Sequence, residues 1–100
     1  MEKAKIPNQN KVIKILQQNQ IEFAALFGSR AKGVATKNSD YDILVEFSPK
    51  ANIGIFEVSE VIEKIEHEVG SRVDLVSKKY LHPLLRDEIL KTMRVLYDRR

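Results

Sequence analysis

The chain has no cysteine, few glycines, and no apolar run near the length of a membrane span. The missing cysteine excludes a disulfide scaffold and thiolate metal sites, and fits a reducing compartment such as the cytoplasm. A membrane helix needs about 20 consecutive apolar residues, so no spanning segment is expected. Met1 to Asn10 is polar, without the apolar core of a secretory signal. No basic run is interleaved with aromatic residues, so direct nucleic-acid binding has no support. Repeats, low-complexity segments and long linkers are also missing.

What remains is 100 residues of ordinary globular composition, the size of one domain, taken here as residues 1–100. The net charge of +3 is unevenly spread. Residues 54–69 hold five glutamates and one lysine; residues 71–100 hold eight Lys/Arg and four Asp/Glu. Such asymmetry suits an anionic ligand or a partner of complementary charge, or simply solvated helix faces.

Pro7 suits a helix start, and Val12, Ile13 and Leu16 give residues 7–19 an apolar stripe. "EFAALF", Glu22 to Phe27, reads as a buried strand stopped by Gly28. "YDILVEF" has strand composition and ends at Ser48-Pro49. Ile55, Val58, Ile62, Ile65 and Val69 recur at intervals of three and four, which predicts an amphipathic helix ending at Gly70. "RVDLV", Arg72 to Val76, reads as a third strand. Pro83 opens a helix whose Leu84, Leu85, Ile89, Leu90 and Met93 are expected to face inward, and Arg94 to Tyr97 reads as an edge strand. The expected fold is α/β or α+β: a small mixed sheet of about four strands backed by helices.

The chemistry concentrates in "LFGSRAKGVATKNSDYDILVEF". Alternation along a strand puts Asp40 and Asp42 on one face, about 6–7 Å apart at Cα. Tyr41, Ile43, Val45 and Phe47 point the other way. Like charges so placed are unfavourable unless a cation sits between them. Carboxylate oxygens suit Mg²⁺, with Mn²⁺ as a substitute, and Mg²⁺ commonly completes its octahedron with water and phosphate oxygens. Gly28-Ser29, directly after a strand, lets the backbone approach such phosphates closely, and Ser29 can donate to them. Arg30 and Lys32 stand near enough in sequence to add positive charge. Asp74, isolated in a short apolar strand, is the candidate third acid. It would join the pair if its strand lay beside Tyr41–Phe47, and could accept a proton from an attacking hydroxyl.

Gly28, Ser29, Asp40, Asp42 and Asp74 together resemble the signature of the minimal nucleotidyltransferases, in the DNA polymerase beta-like superfamily. That signature is Gly-Ser, a gap of about this length, Asp-x-Asp, and a later strand aspartate. The resemblance covers nearly the whole chain and implies that superfamily's fold. It also implies an enzyme that uses two Mg²⁺ ions to move a nucleoside monophosphate, usually AMP from ATP, onto a hydroxyl. Asp40, Asp42 and Asp74 would be the catalytic and metal-binding residues, and Gly28, Ser29 and Arg30 the nucleotide-binding ones. Small members of the family are often encoded beside a HEPN-domain toxin, which they bind and AMPylate on a tyrosine as antitoxins. The expected partner is therefore a HEPN protein. Alternatives are an antitoxin that acts by contact alone, and an enzyme whose acceptor is a small molecule or an RNA end.

Overall fold

The computed structural model describes residues 5–100; residues 1–4 of the polar N-terminal stretch lie outside them. The order is α1 (Gln9–Gln18), β1 (Ile21–Phe27), α2 (Ser29–Lys32), β2 (Tyr41–Phe47), α3 (Ile55–Val69), β3 (Val73–Ser77), a 3₁₀ turn (Lys78–Tyr80), α4 (Pro83–Thr92) and β4 (Arg94–Asp98). The four strands form one mixed sheet in the order β3-β2-β1-β4. β1 pairs antiparallel with β2 and β4, while β2 and β3 run parallel, with α3 as the crossover.

The sheet is apolar on both faces, which explains the nearly unbroken apolar run of β1. Ala24 and Leu26 join Ile43 and Val45 on one face, beneath Val12 and Leu16 of α1 and Val61 and Ile65 of α3. Phe23 and Ala25 join Leu44 on the other face, where Ile89, Leu90 and Met93 pack as partly buried neighbours. Each fully buried Leu, Ile or Phe contributes about 1.5–3 kcal/mol against the entropy of folding. The predicted mixed sheet with helices is what the chain forms.

Two predicted apolar stripes are shorter than expected. Ile55 is 78% exposed at the start of α3, where Val61, Ile65 and Val69 are the buried positions. Leu84 and Leu85, expected inside, are 84% and 53% exposed. α4 meets the sheet only through its second half, so periodicity identified the helix but overstated its contact. His82, given no role from sequence, starts α4: its Nδ1 accepts a hydrogen bond from the Leu84 N–H at 3.1 Å.

Candidate active site

β1 delivers the chain to Gly28 from Phe27, which lies opposite Asp42 across the antiparallel ladder. Gly28 has φ +73° and ψ −152°, a combination open essentially only to glycine. A Cβ at this position would stand 2.5 Å from Asp42 Oδ2. The serine turn is therefore seated directly against the Asp42 side chain, an approach that only the smallest residue permits. Ser29 then opens α2, a single turn that ends at Gly33 in the left-handed conformation.

The loop from Gly33 to Asp40 is held at its far end by Arg30. The guanidinium Nη2 donates to the Ser39 carbonyl at 2.7 Å, and Cζ lies 4.0 Å from the centroid of the Tyr41 ring. These contacts fall on the two residues that flank Asp40. Arg30, expected from sequence at the nucleotide, thus sits one residue beyond Ser29 and braces the loop that carries Asp40. Lys32, likewise expected near phosphate, pairs through Nζ with Glu88 of α4 at 2.9 Å. Arg94 donates from Nε to the Ala31 carbonyl at 2.7 Å, fastening α2 to β4. No local pattern in the sequence announces that bond, because its partners are 63 residues apart.

Asp74 comes to the site through the parallel pairing. Asp42 is the register partner of Asp74, and Tyr41 that of Val73. The Tyr41 N–H donates to the Arg72 carbonyl at 2.8 Å just before the ladder begins. Adjacent strands are about 4.8 Å apart, and register partners project from the same face. Val73 packs into the α1/α3 face of the core, so Asp74 projects from the opposite one, as Asp42 does.

Asp42 feels the charge of both other acids. The Asp42 carboxyl is held above its ordinary 3.8, first by burial, then by the charge of Asp74, then by that of Asp40. The three carboxylates nevertheless do not close into a ready-made chelate: among the described residues no three His, Cys, Asp or Glu side chains form a metal-sized group. An oxygen-only donor set with a repelled, partly desolvated carboxylate at its centre fits a hard divalent cation. Mg²⁺ in particular draws only one or two ligands from protein carboxylates and the rest from water and phosphate.

This electrostatic arrangement has a measurable sign. A carboxyl with a raised pKa in the fold binds its proton more tightly there than in the unfolded chain. Its ionisation therefore destabilises the fold. With respect to this group, stability is greatest below 3.8 and falls as pH rises through the higher folded value. Without metal, Asp42→Asn is expected to melt above wild type at neutral pH, and Asp40→Asn to act the same way more weakly. The Asp42→Asn advantage should close below the ordinary carboxylate range. Calorimetric scans across pH would measure this, and coincident melting at neutral pH would contradict it.

Among the described residues, no helix is long and apolar enough to cross a membrane. The family model described as "Polymerase beta, Nucleotidyltransferase" matches residues 10–100. A Methanocaldococcus jannaschii protein, provisionally named a protein adenylyltransferase, is 43% identical over 70 residues, covering 69% of this chain and 70% of its own length. The fold superposes with a TM-score of 0.75 on a chain from a toxin–antitoxin crystal structure with AMP-PNP, at 29% identity, covering 91% of this chain and 73% of that one. A second solved complex holds a tri-AMPylated Shewanella oneidensis HEPN toxin with its MNT antitoxin. The TM-score there is 0.67 at 26% identity, and coverage is 91% of this chain and 70% of that one. With the Gly28-Ser29 turn set against Asp42 and Asp42 set beside Asp74, the chain belongs to the polymerase beta nucleotidyltransferase family.

Proposed function

We propose that this nucleotidyltransferase moves AMP from ATP to a hydroxyl of a partner protein, a tyrosine of a HEPN toxin, and so acts as its antitoxin. The observation that carries this reading is the convergence of two strands: Asp42 and Asp74 in register, with Gly28 in contact range of Asp42. The neighbouring structures, one with an ATP analogue and one with an AMPylated HEPN toxin, supply the nucleotide and the partner.

In this reading Gly28 and Ser29 hold the triphosphate, and Asp40, Asp42 and Asp74 hold two Mg²⁺ ions. When bound, the metal ions neutralise phosphate charge at the reacting centre. Asp74, the most open of the three acids, accepts the proton of the incoming hydroxyl. The hydroxyl oxygen bonds to the α-phosphorus as the bond to the pyrophosphate oxygen breaks, and pyrophosphate leaves. Arg30 keeps Ser39 and Tyr41 fixed on either side of Asp40, which holds that carboxylate opposite the serine turn.

The test is incubation with labelled ATP, Mg²⁺ and the cognate HEPN protein. Label should pass to the HEPN protein with wild type and fail to pass once a chelator removes the metal. An Asp40→Asn/Asp42→Asn variant that silences the toxin as fully as wild type would establish neutralisation by contact instead.

A further inference from the structure

At the end of β2 and β3 remote from the carboxylates, the chain forms a cleft of about 770 Å³. Glu46 marks it on β2, four positions beyond Asp42, which is about 13 Å along the strand. Phe47, Ile53 and Val58 give it apolar lining, and Lys78, Lys79 and Arg86 give it charge. Its single acid is already countered: Glu46 Oε2 lies 2.6 Å from Arg100 Nη1 and 3.8 Å from Lys78 Nζ. Lys79 and Arg86 make no salt bridge among the described residues. The cleft thus keeps an excess of positive charge over an apolar floor.

One large apolar residue of the lining is left uncovered: Tyr80 is 78% exposed. The cleft therefore offers an uncovered aromatic ring beside its cations.

We propose that this cleft docks an acidic amphipathic segment of the partner protein, with apolar side chains on its floor and carboxylates against Lys79 and Arg86. The inference deepens the proposed function, on which it rests. It separates recognition of the protein substrate from the chemistry at Asp40, Asp42 and Asp74. The excess cations select an acidic occupant, and Ile53, Val58 and the exposed Tyr80 select one with an apolar side. A second copy of this chain, offering the glutamates of α3, is the competing occupant.

Lys79→Glu/Arg86→Glu should weaken binding of the cognate HEPN protein about 30-fold or more and reduce its dependence on salt. Lys79→Arg/Arg86→Lys should restore it, and Tyr80→Ala should weaken it. None of these variants should alter the melting shift caused by Mg²⁺ with ATP. Calorimetric titration measures the binding, and light scattering measures the oligomeric state. A charge-reversed variant that binds the HEPN protein like wild type overturns the docking assignment and leaves the enzymatic reading intact. Charge reversal that only dissociates a self-assembly gives the cleft to a second copy, and overturns it too. Wild type that binds no HEPN protein removes both the proposed partner and this surface.

Discussion

Asp42→Asn is expected to cut AMP transfer by about a thousandfold, the rate equivalent of several kcal/mol of charge stabilisation. The proton affinity of Asp42 is raised by its burial and then by the charges of Asp74 and Asp40. Asp42 is also the register partner of Asp74 and the residue against which Gly28 is packed. An amide has nearly the same shape but brings no negative charge to a divalent cation, so the loss isolates charge from packing. The same substitution should raise the melting temperature of the metal-free chain, so inactivity could not be blamed on unfolding. A site that destabilises its own fold in order to hold a cation is an ordinary conflict between stability and activity. Initial rates of label transfer, read beside melting curves, decide the matter. An Asp42→Asn enzyme within tenfold of wild type would refute the assignment of Asp42 as a metal ligand.

Gly28→Ala should lower transfer about a hundredfold, the scale set by a displacement of roughly 1 Å at a reacting group. Two separate effects are at work. The backbone at φ +73° and ψ −152° strains any residue with a Cβ, by about 1–3 kcal/mol. The new methyl would also lie 2.5 Å from Asp42 Oδ2, so the carboxylate has to swing away. A carboxylate can move cheaply, so the collision harms function more than stability. Gly33→Ala separates the two effects. It carries a similar φ of +75°, but its added Cβ would meet nothing within 4 Å. Gly33→Ala should melt lower while keeping most of its activity; Gly28→Ala should lose both. Equal activity in the two variants would show that the approach of Gly28 to Asp42 has no catalytic consequence.

The strands and the acids were legible in the sequence because each is set by local rules. Alternation along Tyr41–Phe47 sends Tyr41, Ile43 and Val45 inward and Asp42 to the opposite face. The lone acid in "RVDLV" stood out against its apolar neighbours, and the parallel register brings it to Asp42. The Arg30 bond to the Ser39 carbonyl was not legible, since a guanidinium next to a glycine-serine turn gives no sign of which protein groups it also meets. Arg94 and the Lys32–Glu88 pair depend on contacts across 56 or more residues, for which one sequence carries no signal. The exposure of Leu84 and Leu85 was missed for a related reason: helical spacing reports an apolar face but not how far the facing sheet extends beneath it.

The parallel β2–β3 ladder also sets when this molecule can first become competent. Long-range parallel pairing is among the slower steps of folding, because the closure entropy is spent before contacts reward it. Asp74 is synthesised well after Asp42, and α3 must be laid down between them. A chain that has formed the β1–β2 hairpin but not the β2–β3 ladder therefore has Asp42 in place without its register partner.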